Sequence, residues 1–159
     1  MEAKQPIEIV ILNKFIYSVM FVNCVVALSN LVGIALSWDL SFGKRCIVYA
    51  PMIASFIYHL SETKHGLVGL YPLNKYSLQL LWIDRFFAFA SGAVILYRLF
   101  NGKHSLSNGF LSLLAMGSIS LFISEKDLIF PGYVSKTEFM ISHSFWHYCA
   151  FEMLVMSLK

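Results

Sequence analysis

Charge is scarce in this sequence: Asp, Glu, Lys and Arg make up 13% of its 159 residues, against about 25% in soluble domains. The formal net charge of +3 is spread along the chain with no basic block, so the electrostatic footprint of a nucleic-acid binder is missing. Three cysteines, Cys24, Cys46 and Cys149, stand in separate apolar runs without CxxC spacing. They read as small buried residues and not as a disulfide framework. No N-x-S/T sequon, C-terminal lipidation signal, repeat or low-complexity tract occurs. A small-residue cleavage site is also missing after the first apolar run, so that run is expected to stay in the mature protein.

What is present is apolar. Hydrophobic residues reach 58% and the mean hydropathy is +0.68, which points to lipid as the solvent. A membrane span takes about 20 mostly apolar residues, and five such runs can be drawn, over 15–38, 44–61, 78–99, 109–124 and 137–158. The intervening stretches carry turn signals: Gly66, Gly69 and Pro72 in the second, Gly102 in the third, and Glu125, Lys126, Asp127, Pro131 and Gly132 in the fourth. Backbone polar groups must be satisfied inside lipid, so these runs predict helices, and the alternation of an outer-membrane barrel is missing. The expected fold is all-α, a single multi-pass bundle of about five transmembrane helices over residues 1–159. Lys and Arg divide almost evenly between the two faces, so the positive-inside rule sets no orientation.

Ionisable residues inside spans are costly and point to function. Ser55 and His59 are four apart near the end of span two, and so share a helix face. Asp84 lies near the start of span three. His143 and His147, again four apart, lie near the start of span five. Two complete crossings separate the starts of spans three and five, so all five residues are expected at similar depth near one membrane face. Three imidazoles with a carboxylate nearby suit Zn2+, because three protein ligands leave the fourth tetrahedral position open, as in catalytic sites. Zinc brings the pKa of water down to about 7, Asp84 can accept or orient a proton, and Ser55 can hold Asp84 or a substrate oxygen. At this depth the expected substrate is a lipid ester or amide, with membrane lipids as partners.

The order Ser-x-x-x-His, then Asp, then His-x-x-x-His resembles the CREST superfamily of membrane hydrolases, which includes alkaline ceramidases and adiponectin receptors. The stretches FIYHLSE and HSFWHYCAFEM look most like its myomaker-like branch. The resemblance implies zinc on His59, His143 and His147, Ser55 and Asp84 beside it, and an acidic position at Glu62. It also implies seven helices, whereas five runs are counted. Too little chain separates Asp84 from His143 for the usual intervening pair, so the expectation is a reduced form of a seven-helix family.

Other readings of the same residues run alongside. A non-enzymatic membrane protein of fusion, scaffold or receptor type would keep the zinc site structurally, and a haem carrier would use the histidine pairs as axial ligands. Ser55 alone would bond the carbonyl four residues back, and Asp84 would pair with Arg85 or Lys75. Glu152 falls on the face of its helix away from His143, toward a helix partner or a second subunit of a homo-oligomer. His65 and His104 are expected in solvated loops, and Arg98 and Lys103 to snorkel to headgroups. Asn23 and Asn30 are expected to face a neighbouring helix, and Gly92 and Gly117 to permit close packing.

Overall fold

The computed structural model describes residues 20–102, 106–126 and 134–159. They form α1 (20–29), α2 (Val32–Leu36), α3 (Phe42–Ser61), α4 (Ser77–Phe100), α5 (Asn108–Glu125) and α6 (Lys136–Leu158), with short 3-10 turns at Lys64–Gly66 and Leu73–Tyr76 and no strand among the described residues. The beginning of the first predicted span, Lys103, His104, Asp127, Pro131 and Gly132 lie outside the described residues.

Local chemistry explains where the helices start and stop. Ser135 and Glu138 form a reciprocal cap at the start of α6, with Glu138 N–H donating to Ser135 Oγ at 3.1 Å and Ser135 N–H to Glu138 Oε2 at 2.9 Å. This satisfies backbone donors that the first helical turn leaves open. Ser107 caps α5 in the same sense by accepting from Phe110 N–H. Within the described part of the first predicted span the helix is interrupted by a turn at Asn30 and Leu31, which separates α1 from α2. The Asn30 amide donates to the carbonyls of Val26 and Ala27 at 3.2 and 3.3 Å, and this local bonding competes with the helix ladder. Beyond it the chain continues on i→i+3 bonds, Gly33 N–H to Asn30 O and Ile34 N–H to Leu31 O.

α6 is the axis of the fold and packs against α2, α3, α4 and α5. It buries residues along its length, from Phe139 and His143 to Val155 and Leu158, while Ile141, Phe145 and Tyr148 stand exposed on one face. One apolar cluster, Leu40, Val48, Met52, Phe151, Leu154, Val155 and Leu158, lies toward its C-terminus, and a second, Val22, Val26, Leu67, Val134 and Phe139, toward its start. At the far end two polar contacts hold the bundle. Arg98 donates from Nε to Ser157 O at 2.7 Å, and Lys159 Nζ pairs with Asp39 Oδ2 at 3.1 Å. The Lys159 hydrogen bond holds the Asp39 carboxyl below its usual range. Arg98 therefore serves a carbonyl of the last helical turn, where a cation also suits the helix dipole, and does not reach outward as expected.

Among the described residues two helices are long and apolar enough to cross a membrane: α4 with its preceding turn, Leu73–Phe100, at mean hydropathy 1.5, and α5 at 1.2. No residue of α4 is buried within the chain, and Trp82, Phe86, Phe89 and Phe100 stand exposed. α5 instead packs tightly on α6, and a Cβ at Gly117 would lie 3.0 Å from Cys149 Cβ. Gly92 has nothing within 4 Å, so it is no packing glycine among the described residues. Cys149 is buried, whereas Cys24 and Cys46 are exposed, which corrects the expectation for two of the three cysteines. An apolar run does not distinguish burial against protein from exposure to an apolar surrounding.

The chain leaving α3 turns back over its own helix end, with Leu70 N–H donating to Leu60 O at 2.7 Å. At this crossing a Cβ on Gly69 would sit 2.1 Å from Ser61 O. Gly69→Ala is expected to destabilise by about 1–3 kcal/mol, the usual cost of overpacking, while Gly92→Ala is neutral or mildly stabilising as an exposed helical change. Unfolding midpoints in detergent check this, and equal midpoints for wild type and Gly69→Ala would show that the crossing does not persist.

Candidate metal centre

His59 comes from the last turn of α3, and His143 and His147 from successive turns of α6. All three are buried, with relative exposures of 1%, 8% and 4%. One ring nitrogen from each lies within 4.8 Å of the others, and the ring centroids are 4.7, 4.8 and 5.0 Å apart. Along α6 the order is Phe139, His143, His147, Phe151, with Phe139 5.1 Å from the His143 ring and Phe151 6.5 Å from the His147 ring. The histidines thus form a polar layer between the two apolar clusters.

The hydrogen bonds decide which nitrogen of each ring faces the centre. His59 Nδ1 lies 2.7 Å from Glu62 Oε2, and the Tyr58 hydroxyl donates to Glu62 Oε1 at 2.9 Å. Burial pushes the Glu62 carboxyl up, but attraction to His59, the His59 hydrogen bond, attraction to His143 and the Tyr58 hydrogen bond outweigh it and bring it down to about 2. Glu62 is therefore a carboxylate, which only accepts, and His59 Nδ1 carries the proton. His147 Nδ1 lies 2.7 Å from Ser29 Oγ, whose own proton goes to Val26 O at 2.7 Å. His143 Nδ1 lies 3.1 Å from Ser124 Oγ, whose proton goes to Leu121 O at 2.9 Å. Each serine has one proton and has placed it on a carbonyl, so each accepts from its histidine.

All three rings are thereby held with Nδ1–H outward and an unprotonated Nε2 available toward the others. His59 Nε2 is buried with no hydrogen-bond partner, an arrangement that costs about 1–3 kcal/mol when nothing fills it. A metal ion fits this donor set: three neutral imidazoles, each donating its other N–H to an acceptor, is the usual environment of ligating histidine. Rings this close leave no room for a macrocycle between them, so the haem reading falls.

Comparison with family models, curated proteins and solved structures returns no match. The site's own geometry therefore carries the functional argument.

Ser55 is buried on α3, with Oγ 3.3 Å from His147 Nε2. It does not bond the carbonyl four residues back. Asp84 is partly buried on α4 and feels the charge of Arg85 without an ion pair, while Lys75 turns to the Tyr71 hydroxyl. The Asp84 carboxylate is not among the groups that meet at the centre. Glu152 does not line the cavity beside the site. Asn23, on α1, donates to the Glu62 carbonyl at 2.9 Å and so ties the first helix to the end of α3. Sequence reasoning missed Ser29, Ser124 and Tyr58. The only signal for Ser124 was its position at a helix end, and Ser29 had none.

Replacing any one of His59, His143 or His147 by Ala is expected to abolish stable metal binding, because two ligands hold an ion poorly. Ser29→Ala, Ser124→Ala and Glu62→Ala should each weaken it by about 10–100-fold, the usual effect of removing a histidine's outer partner. Chelator competition on purified protein reads both effects. Unchanged affinity in the serine variants would show that the rings are oriented by something else.

Proposed function

We propose that this chain is a multi-pass membrane hydrolase that cleaves a lipid ester or amide at a three-histidine zinc centre. The observation that carries the reading is the convergence of three buried imidazoles, with Ser55 and Asp84 lining the cavity beside them and Asp84 outside the ligand set. A structural metal usually fills all four positions with protein groups, so three histidines and a separate carboxylate favour catalysis over the non-enzymatic alternative. The motif order supports a reduced member of the CREST superfamily. Two apolar helices of spanning length and the exposed apolar surface of α4 support the membrane setting.

When bound, zinc supplies Lewis-acid chemistry, acidifying water to a pKa of about 7 and polarising a carbonyl. The chain's own residues do the rest. Glu62, Ser29 and Ser124 fix the imidazoles. Asp84 accepts a proton at its carboxylate as the ester or amide is attacked, and releases it to the leaving group. Ser55, 3.3 Å from His147 Nε2, lines the same cavity as Asp84. The apolar clusters on either side exclude bulk water, which strengthens every charge interaction between them.

A cavity of about 850 Å³ opens from this site between α4 and α5, floored by α3 and α6. Its volume falls in the range of ligand sites, about 300–1,000 Å³. Apolar walls from Leu96, Leu114, Phe122 and Leu154 suit an acyl chain.

Asp84→Asn is expected to keep metal but to hydrolyse lipids about 10²–10⁴-fold more slowly, the range of general acid–base help. The comparison is made at matched metal occupancy over a panel of ceramides and phospholipids. Wild-type speed in Asp84→Asn would make Asp84 an interface charge, and a wild type inert on the whole panel would favour the non-enzymatic reading. In intact vesicles, tags on the N- and C-termini are expected on opposite faces, as five crossings require. Both tags on one face would refute the span count.

A further inference from the structure

The same cavity is lined by two cations, Lys64 on the 3-10 turn after α3 and Arg85 on α4. Both are only partly exposed. Among the described residues neither takes part in an ion pair within 4.0 Å: the acidic partners go to His59, Lys126, His143 and Lys159 instead. Two carboxylates, Asp84 and Glu125, also line the cavity, and Glu125 faces His143 Nδ1 at 3.9 Å.

A cation drawn partly out of water beside an apolar wall gains most from an anion that enters with the ligand. Arginine offers a planar fork that matches phosphate oxygens, and lysine a mobile point charge. The cavity is therefore amphipathic, with apolar walls from α4 and α5 and the two cations and His143 and His147 in the same lining. We propose that Lys64 and Arg85 form a headgroup site for a phosphate-bearing lipid, so that the substrate of the proposed hydrolase is a phospholipid or lysophospholipid and not a neutral ceramide. This rests on the cavity being the substrate site, as in the reading above.

The test uses the full chain in detergent micelles and a matched pair of probes. Oleoyl lysophosphatidate and monooleoylglycerol share a chain and differ in the phosphate. Lysophosphatidate is expected to bind about tenfold or more tightly than the glycerol lipid, as a charge-assisted contact implies. Lys64→Gln and Arg85→Gln should each erase most of that difference while leaving monooleoylglycerol binding unchanged. Lys64→Arg and Arg85→Lys, which keep the charge, should retain most of it. Metal content, measured on every variant, shows that the site has folded.

Equal affinity for the two probes, or glutamine variants that bind lysophosphatidate like wild type, would overturn the proposal. So would full displacement of the lipid by inorganic phosphate at equal concentration, since the site would then recognise free phosphate. Hydrolysis is scored separately. Phosphate-dependent binding without turnover of any lipid overturns the hydrolase and leaves the headgroup site standing. Ceramide turnover as fast as that of any phospholipid or lysophospholipid overturns the assignment of a phosphate-bearing substrate and leaves the hydrolase standing.

Discussion

A buried imidazole must place both of its nitrogens, and three of them meeting in an apolar layer make that requirement govern the surrounding structure. Each unsatisfied nitrogen costs about 1–3 kcal/mol. The outward nitrogens are satisfied by Glu62 at the end of α3, Ser124 at the end of α5 and Ser29 on α1. Three elements far apart in sequence are thus tied to one point, and Asn23 adds a fourth tie by holding the Glu62 carbonyl. Of the inward nitrogens, His147 Nε2 lies 3.3 Å from Ser55 Oγ, and His59 Nε2 is buried without a hydrogen-bond partner. A metal ion held by the three rings would satisfy it.

The rest of the bundle serves this layer by position. α6 carries two of the three histidines and buries residues along its length, so the helices around it are placed relative to the site. The apolar cluster at its C-terminal end is closed by Arg98 on Ser157 O and by Lys159 on Asp39. The helix pair α5 and α6 approaches closely at Gly117, whereas α4 meets α3 and α6 and hardly touches α5. The cleft is a consequence of that unequal packing. It places Asp84, Arg85 and the apolar face of α4 along one side of the same opening.

Much of this was legible in the sequence, for reasons that can be traced to particular residues. The i, i+4 spacing of His143 and His147 places them on one helix face whatever the rest of the chain does. Counting crossings brings His59 and Asp84 to the same end as that pair, and the structure does bring the three histidines together. The helical runs were legible because apolar stretches of that length have few other ways to satisfy their backbone. Other expectations failed for equally physical reasons. Cys24 and Cys46 lie in apolar runs yet point outward, because hydropathy does not tell a protein interior from an apolar exterior. The break at Asn30 follows from a side chain that bonds its own helix, which composition does not show.

By itself, the sequence determined the all-helical character, the helix faces on which the histidines lie and the end of the bundle at which they gather, since helical periodicity and chain connectivity are local and counting rules. Only the tertiary structure decided which nitrogen each histidine turns inward, that Ser29 and Ser124 rather than any other serines receive the outward protons, and that α4 stands apart from α5 to leave a cavity with Lys64 and Arg85 in its lining. Those outcomes depend on which side chains from distant segments come within about 3 Å of each other, the reach of a hydrogen bond, and no spacing along the chain encodes that distance.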